Sequence, residues 1–133
     1  MNKTTIDAIN TRTSDKTINQ IADEVHENAV NHGFHDAQLV TDDFFNYQTC
    51  NLYGEVAELH QAWRSGEWSN PCDKADKMKS LGLRPLTCAE EDYADIVIRV
   101  LDQCRRLNID IASAIEIKHQ YNITRPFMHG KKS

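Results

Sequence analysis

Glycine and proline are scarce in this chain, five and three in 133 residues. So few breakers leave helices largely uninterrupted and argue against a loop-rich fold. No stretch alternates polar and apolar residues as a half-buried strand would, and no internal repeat is visible. No apolar run approaches the length of a membrane span. The opening MNKTTIDAINTRTSDK lacks the apolar core of a signal peptide. Neither GxxxxGK[ST] nor GxGxxG occurs, which argues against an ordinary P-loop enzyme. No Ser-His-Asp or Cys-His nucleophile arrangement stands out. The four cysteines form no CxxC and no zinc-finger spacing with histidine. Basic charge is also short. A net charge of −5 argues against a binder of nucleic acid or of anionic membranes. The expectation is a cytoplasmic protein with reduced thiols. In it Cys50 and Cys104 are small core residues, while Cys72 and Cys88 flank a loop and could pair.

What is present is helical periodicity. The length suits one domain with a real core, expected over 14–133 behind a loosely held segment 1–13. A first helix is expected from Ser14 or Asp15 to Asn31, with Ile18, Ile21, Ala22, Val25, Ala29 and Val30 on its apolar stripe and Gly33 as its left-handed stop. A second should run from Asp43 to Arg64, with Phe45, Leu52, Val56, Leu59 and Trp63 repeating. Gly54 lies inside it, where it could admit a neighbouring helix or a ligand. A loop at about 66–86 holds two prolines and a short helix near Lys74–Lys79. Thr87-Cys88-Ala89-Glu90 is a capping box that starts a third helix, whose stripe includes Ile96, Val97, Val100, Leu101 and Cys104. Asp110 should cap a fourth, finished before Pro126. The fold class is all-α, a bundle of about four helices.

Two carboxylate pairs stand out. Glu55 and Glu58 lie three apart on the second helix, and Asp92 and Asp95 three apart on the third. Each pair projects from one helical face. With these helices antiparallel, four carboxylates face one another and call for a hard divalent cation, Mg²⁺ or Mn²⁺. The segment KHQYNITRPFMHGKKS adds a second element. Lys118, Asn122 and Arg125 supply a point charge, an amide and a guanidinium fork, the donors that phosphate oxygens prefer. Tyr121, Pro126 and Phe127 suggest that this segment packs. Acids plus a phosphate clamp point to metal-assisted phosphoryl chemistry.

The order EVAE, a loop, EEDYADIVIRVLD and then KxxYNxxRPxxHGKK resembles the MazG-like family of all-α nucleoside triphosphate pyrophosphohydrolases over roughly residues 18 to 132. The resemblance implies that an ExxE and a following ExxD bind magnesium, and that a nucleoside triphosphate yields pyrophosphate and the monophosphate. It matches Glu55, Glu58 and Asp95 to the catalytic acids. The remaining acid is Asp92, one methylene shorter than the family's glutamate; it binds directly or through water, or Glu91 helps from the next position. Lys118, Asn122 and Arg125 match phosphate contacts, and His129 and Lys131 match the HGK element. Glu58 is a candidate general base. The family further implies a homodimer or homotetramer.

Trp63 could stack on a base, though core packing is the commoner role for tryptophan. Arg99 reads as a surface ion pair, His26 as a partly exposed helix residue, and His32 as a partner of the helix C-terminus. Two other functions fit the same acids: a non-catalytic bundle binding nucleotide or protein, and a metal phosphohydrolase acting on another phosphorylated metabolite.

Overall fold

The computed structural model describes residues 3–11, 14–36 and 42–130. Among these residues lie six α-helices and no β-strand. They are α1 (Lys3–Asn10), α2 (Ile18–Asn31), α3 (Asp42–Arg64), α4 (Ala75–Ser80), α5 (Cys88–Arg106) and α6 (Ile111–Ile123), followed by a 3-10 turn over Phe127–Gly130. The all-α expectation holds.

Local chemistry sets the boundaries. Thr17 caps α2 by accepting from the Gln20 N–H, while the Gln20 side chain accepts from the Thr17 N–H. That reciprocal box starts the helix at Ile18, a few residues later than expected. Thr87 and Glu90 close the same box on α5, as predicted. Asp110 caps α6 through the Ser113 N–H. Four helices stop in one way. Gly33, Gly66, Gly82 and Asn108 are left-handed. Each donates, together with the residue after it, to carbonyls of the last helical turn. This double bond satisfies carbonyls that a helix end leaves bare.

The helix α5 organises the rest, with α2 and α3 both packed along it. Both run antiparallel to it. On α2, Asp23 pairs with Arg105 and His26 with Asp102; on α3, Glu55 pairs with Arg99 while the charge of Asp92 is felt by Glu58. The loop before α5 is tied to its first turn. The Cys88 and Ala89 N–H groups donate to the Asn70 and Trp68 carbonyls, and the Cys72 N–H donates to Leu86. These bonds satisfy amides that a helix N-terminus leaves unpaired.

Several expectations need correction. Residues 3–10, expected to be loosely held, are helical, and the Asn10 amide is tied to the Gly82 carbonyl and the Arg84 N–H. The inward face of α3 is turned by about one residue from the expected stripe. Phe44 and Ala62 are buried, whereas Phe45, Val56 and Trp63 are exposed. That rotation carries Glu55 inward. Val97 and Cys50 are exposed rather than core, and all four thiols are free. Trp63 is 65% exposed, edge-on to Trp68, not core. Nothing approaches within 4 Å of a Cβ placed on Gly54, so that glycine admits no neighbour within the chain.

The expected four-helix bundle does not close within one chain. The described part of α6 packs on α2, where Asn19 bonds both Asp110 and the Ala112 N–H. It leaves Ile115, Ile117, Tyr121 and Ile123 exposed.

Gly54→Ala should raise the unfolding free energy by up to about 1 kcal/mol, because the added methyl meets open space and alanine favours helix. Urea denaturation checks it; a loss of stability would mean that something fills that space.

Candidate functional site

The rotation of α3 brings Glu55 and Glu58 to face Asp92 and Asp95 on α5. Burial raises the pKa of Glu58 first, followed by the charges of Glu55, Asp92 and Asp95. Asp95 is raised in the same way, by burial and then by Glu55, Glu91 and Asp92. Asp92 is buried, and its carboxyl is raised by that burial ahead of Glu91 and Glu55. Four predicted carboxylates and Glu91 therefore share one field, which makes Glu58, Asp92 and Asp95 harder to ionise.

Two cations answer that field. The Arg99 Nε donates to Glu55 Oε1 at 2.6 Å. The predicted ion pair is real, but its partner is a candidate metal ligand. Lys74, from the loop, donates to Glu91 and to Asp73. Its ammonium is held well above its ordinary value, chiefly by the Glu91 bond. Glu91 also lies beside Asp73 and the buried Cys72 thiol, which burial pushes up and keeps protonated. Lys74 thus claims Glu91, while Asp92 makes no ion pair among the described residues. The donor set fits a hard divalent cation: carboxylate oxygens, an excess of negative charge, and no imidazole among them.

Beside the acids a cavity of about 740 Å³ opens between α2, α3 and α5. Glu55, Asp95 and Arg99 stand on its wall. Phe34 and Tyr47 give it aromatic surface, and the amides of Asn28, Gln48 and Asn51 give it hydrogen-bonding edges. A planar, polar-edged ligand suits such walls.

The C-terminal donors are elsewhere. Lys118 and Asn122 line a separate, shallower cavity on α6, and neither they nor Arg125 line the one that holds Glu55 and Asp95. Lys118 and Arg125 lie over the exposed ring of Tyr121. Phe127, expected to pack, is 91% exposed. Lys131 and the His129 side chain lie outside the described residues. Trp63 does not line the main cavity; it begins an edge-on chain of rings through Trp68 to Tyr93, next to Asp92. Among the described residues, the expected clamp is thus not part of the cavity that Glu55 and Asp95 line.

Sequence reasoning passed over Lys74, which carries no motif. It also missed the pairing of Asp102 with His26 and His35. Asp102 accepts from His26 Nδ1 at 2.8 Å and from His35 Nε2 at 2.8 and 2.9 Å. The signal was there in part: His26 interrupts the stripe of Ala22, Val25 and Ala29, and a polar side chain on such a face needs a partner. His32 behaves as expected, its Nδ1–H donating to the Asn28 carbonyl. No protein-family model, curated protein or solved structure matches the chain.

Stability should respond to pH in two opposed ways. Glu58, Asp92 and Asp95 have raised pKa values, so the folded state takes up their protons first and gains stability as pH falls through their range. Glu90 is held at about 2 by Arg84 and the Thr87 cap; its contribution is complete above its ordinary 4.5 and is lost as pH falls toward 2. Metal-free protein should therefore be most stable at mildly acidic pH, and millimolar Mg²⁺ should raise stability at neutral pH and flatten that rise. Thermal unfolding from pH 8 to pH 2.5 tests this; a metal-free curve that only falls with acid rejects it.

Proposed function

We propose that the protein hydrolyses a nucleoside triphosphate to the monophosphate and pyrophosphate with Mg²⁺, or Mn²⁺, as cofactor. The observation that carries this is the carboxylate field on α3 and α5 opening into a cavity with aromatic and amide walls. Triphosphate oxygens need a cation beside such acids, and a base needs walls of that kind. The similarity of the acid and C-terminal motifs to MazG-like pyrophosphohydrolases supports the same reading.

Glu55, Glu58, Asp95 and Asp92 would hold the cation, with Glu91 retained by Lys74. A cation there would offset the charge of the phosphates and lower the pKa of water. Water then adds through oxygen to the α-phosphorus. The bond from that phosphorus to the bridging oxygen breaks, pyrophosphate leaves, and a carboxylate takes the proton. Glu58 suits that task, because burial and its neighbours already push it toward accepting a proton. Arg99 neutralises Glu55 through its Nε–H. Once Glu55 is engaged elsewhere, the guanidinium is free on the cavity wall to meet phosphate.

The reading includes a homodimer or homotetramer. The exposed apolar residues of α6 need covering, and a second copy can bring Lys118, Asn122 and Arg125 to acids that their own chain does not reach. An obligate interface of ordinary size, on the order of 1,000–2,500 Å² per partner, would cover such a face.

Incubation with a panel of nucleoside and deoxynucleoside triphosphates, followed by phosphorus NMR, should show pyrophosphate and monophosphate in equal amounts. Single phosphate release, or no turnover with Mg²⁺ or Mn²⁺, rejects the reaction. Glu55→Gln should cost more than about 100-fold in kcat, since even partners behind metal ligands cost 10–100-fold, with helical circular dichroism unchanged. Light scattering should give a dimer or tetramer; a monomer that is fully active would overturn the shared site.

A further inference from the structure

A second constellation lies at the other end of the cavity and does not depend on the reaction proposed above. Asp102 is on α5, seven residues and so about 10 Å beyond Asp95 along the helix axis. His26 comes from α2 and His35 from the turn that follows it. Nδ1 of His26, Nε2 of His35 and a carboxylate oxygen of Asp102 all lie within 4.8 Å of one another. We propose that these three side chains form a site for a borderline divalent transition metal, Zn²⁺ being the natural occupant, separate from the magnesium-type carboxylate site.

The donor chemistry differs from that of the acid cluster. Two imidazole nitrogens and one carboxylate oxygen suit zinc, cobalt or nickel, whereas magnesium prefers oxygen alone. The geometry is close. Ligand atoms about 2.0–2.2 Å from a tetrahedral zinc lie roughly 3.3 Å apart, and the present 2.8 Å separations need to open by about half an ångström. Each ring now donates to Asp102, and binding shifts each proton to the other ring nitrogen while the lone pair turns to the metal. Asp102 also lines the cavity, so an ion held by it would lie beside space from which water or a ligand oxygen could complete its coordination.

Burial makes the histidine choice informative. The His35 side chain is 3% exposed and stands beside the Phe44 ring. Its Nδ1 is buried without a hydrogen-bond partner among the described residues. A phenylalanine would fill that place without an unpaired nitrogen, whose burial costs free energy. The imidazole is therefore better explained by what its Nε2 can bind than by packing.

Cobalt is the probe. Tag-free protein stripped with chelator and then held in millimolar Mg²⁺, which occupies oxygen-rich sites, is titrated with Co²⁺ at neutral pH. One equivalent should bind, with visible absorption bands of a four- or five-coordinate ion, and Zn²⁺ should displace it. His35→Phe and Asp102→Asn should each weaken binding by at least about 100-fold, more than the loss of a partner behind a ligand. Should either fail to fold by circular dichroism, His26→Gln, at a half-buried position, gives the same readout. His32→Ala should bind like the unchanged protein. Absence of a one-equivalent Co²⁺ complex, or its survival in a folded His35 or His26 variant, overturns the proposal. Nucleotide hydrolysis has no part in this result, so its failure and that of the proposed reaction are distinguishable.

Discussion

Glu55 and Glu58 on α3 face Asp92 and Asp95 on α5 across a contact that helix packing would ordinarily fill with apolar side chains. Burial and mutual repulsion raise the pKa values of three of the four. Such a contact does not hold itself together. Arg99 and Lys74 reduce the charge, each by taking one carboxylate. Apolar support is small: among the described residues the buried apolar side chains are Ala22, Phe44, Ala62, Cys72, Ala75 and Leu101, and no large one is fully buried. The price of the acid field is a thin core, and the cavity between α2 and α3 is its spatial expression.

Placing the acids depends on α5 being fixed in depth and rotation. Its first turn is secured from three directions. Thr87 and Glu90 cap it reciprocally, Arg84 holds Glu90, and backbone carbonyls of Trp68 and Asn70 take the next amides. The loop that supplies these carbonyls also supplies Lys74. Chain between α3 and α5 is therefore part of the acid site's support and not a passive connection. Helix α1 extends the same arrangement through Asn10, which bonds the turn at Gly82–Arg84 on both its carbonyl and amide sides.

Legibility followed the range of the interaction. Capping boxes, left-handed stops and the Asp110 cap act within a few residues, and these were read correctly from Thr87, Glu90, Gly33 and Asp110. The pairing of two acid-bearing helices was legible because each pair has helical spacing. Rotation of α3 was not. Phe44 and Phe45 are equivalent in composition, and only the tertiary contact decides which turns inward. The same one-residue difference made Trp63 look like core. Long-range polar partners escaped for a similar reason: Lys74 to Glu91, Asn10 to Gly82 and His35 to Asp102 join residues 17 to 72 positions apart, and no local pattern marks them.

The C-terminal segment gives the strongest reason to look beyond one chain. Lys118, Asn122 and Arg125 were grouped with the acids because phosphate chemistry needs both, yet the fold puts them on different cavities. Helix α6 leaves Ile117, Tyr121 and Ile123 in water while packing chiefly on α2. A side chain such as Ile117 gains about 25 cal/mol per Å² when covered, so the exposed face favours association whatever the reaction. Association that covers α6 also moves its basic residues against another surface. With a net charge of −5, a second copy carries an excess of acidic groups that such basic residues could meet. The charge pattern and the apolar face thus favour the same contact, one in which the donors of one copy approach the carboxylates of another.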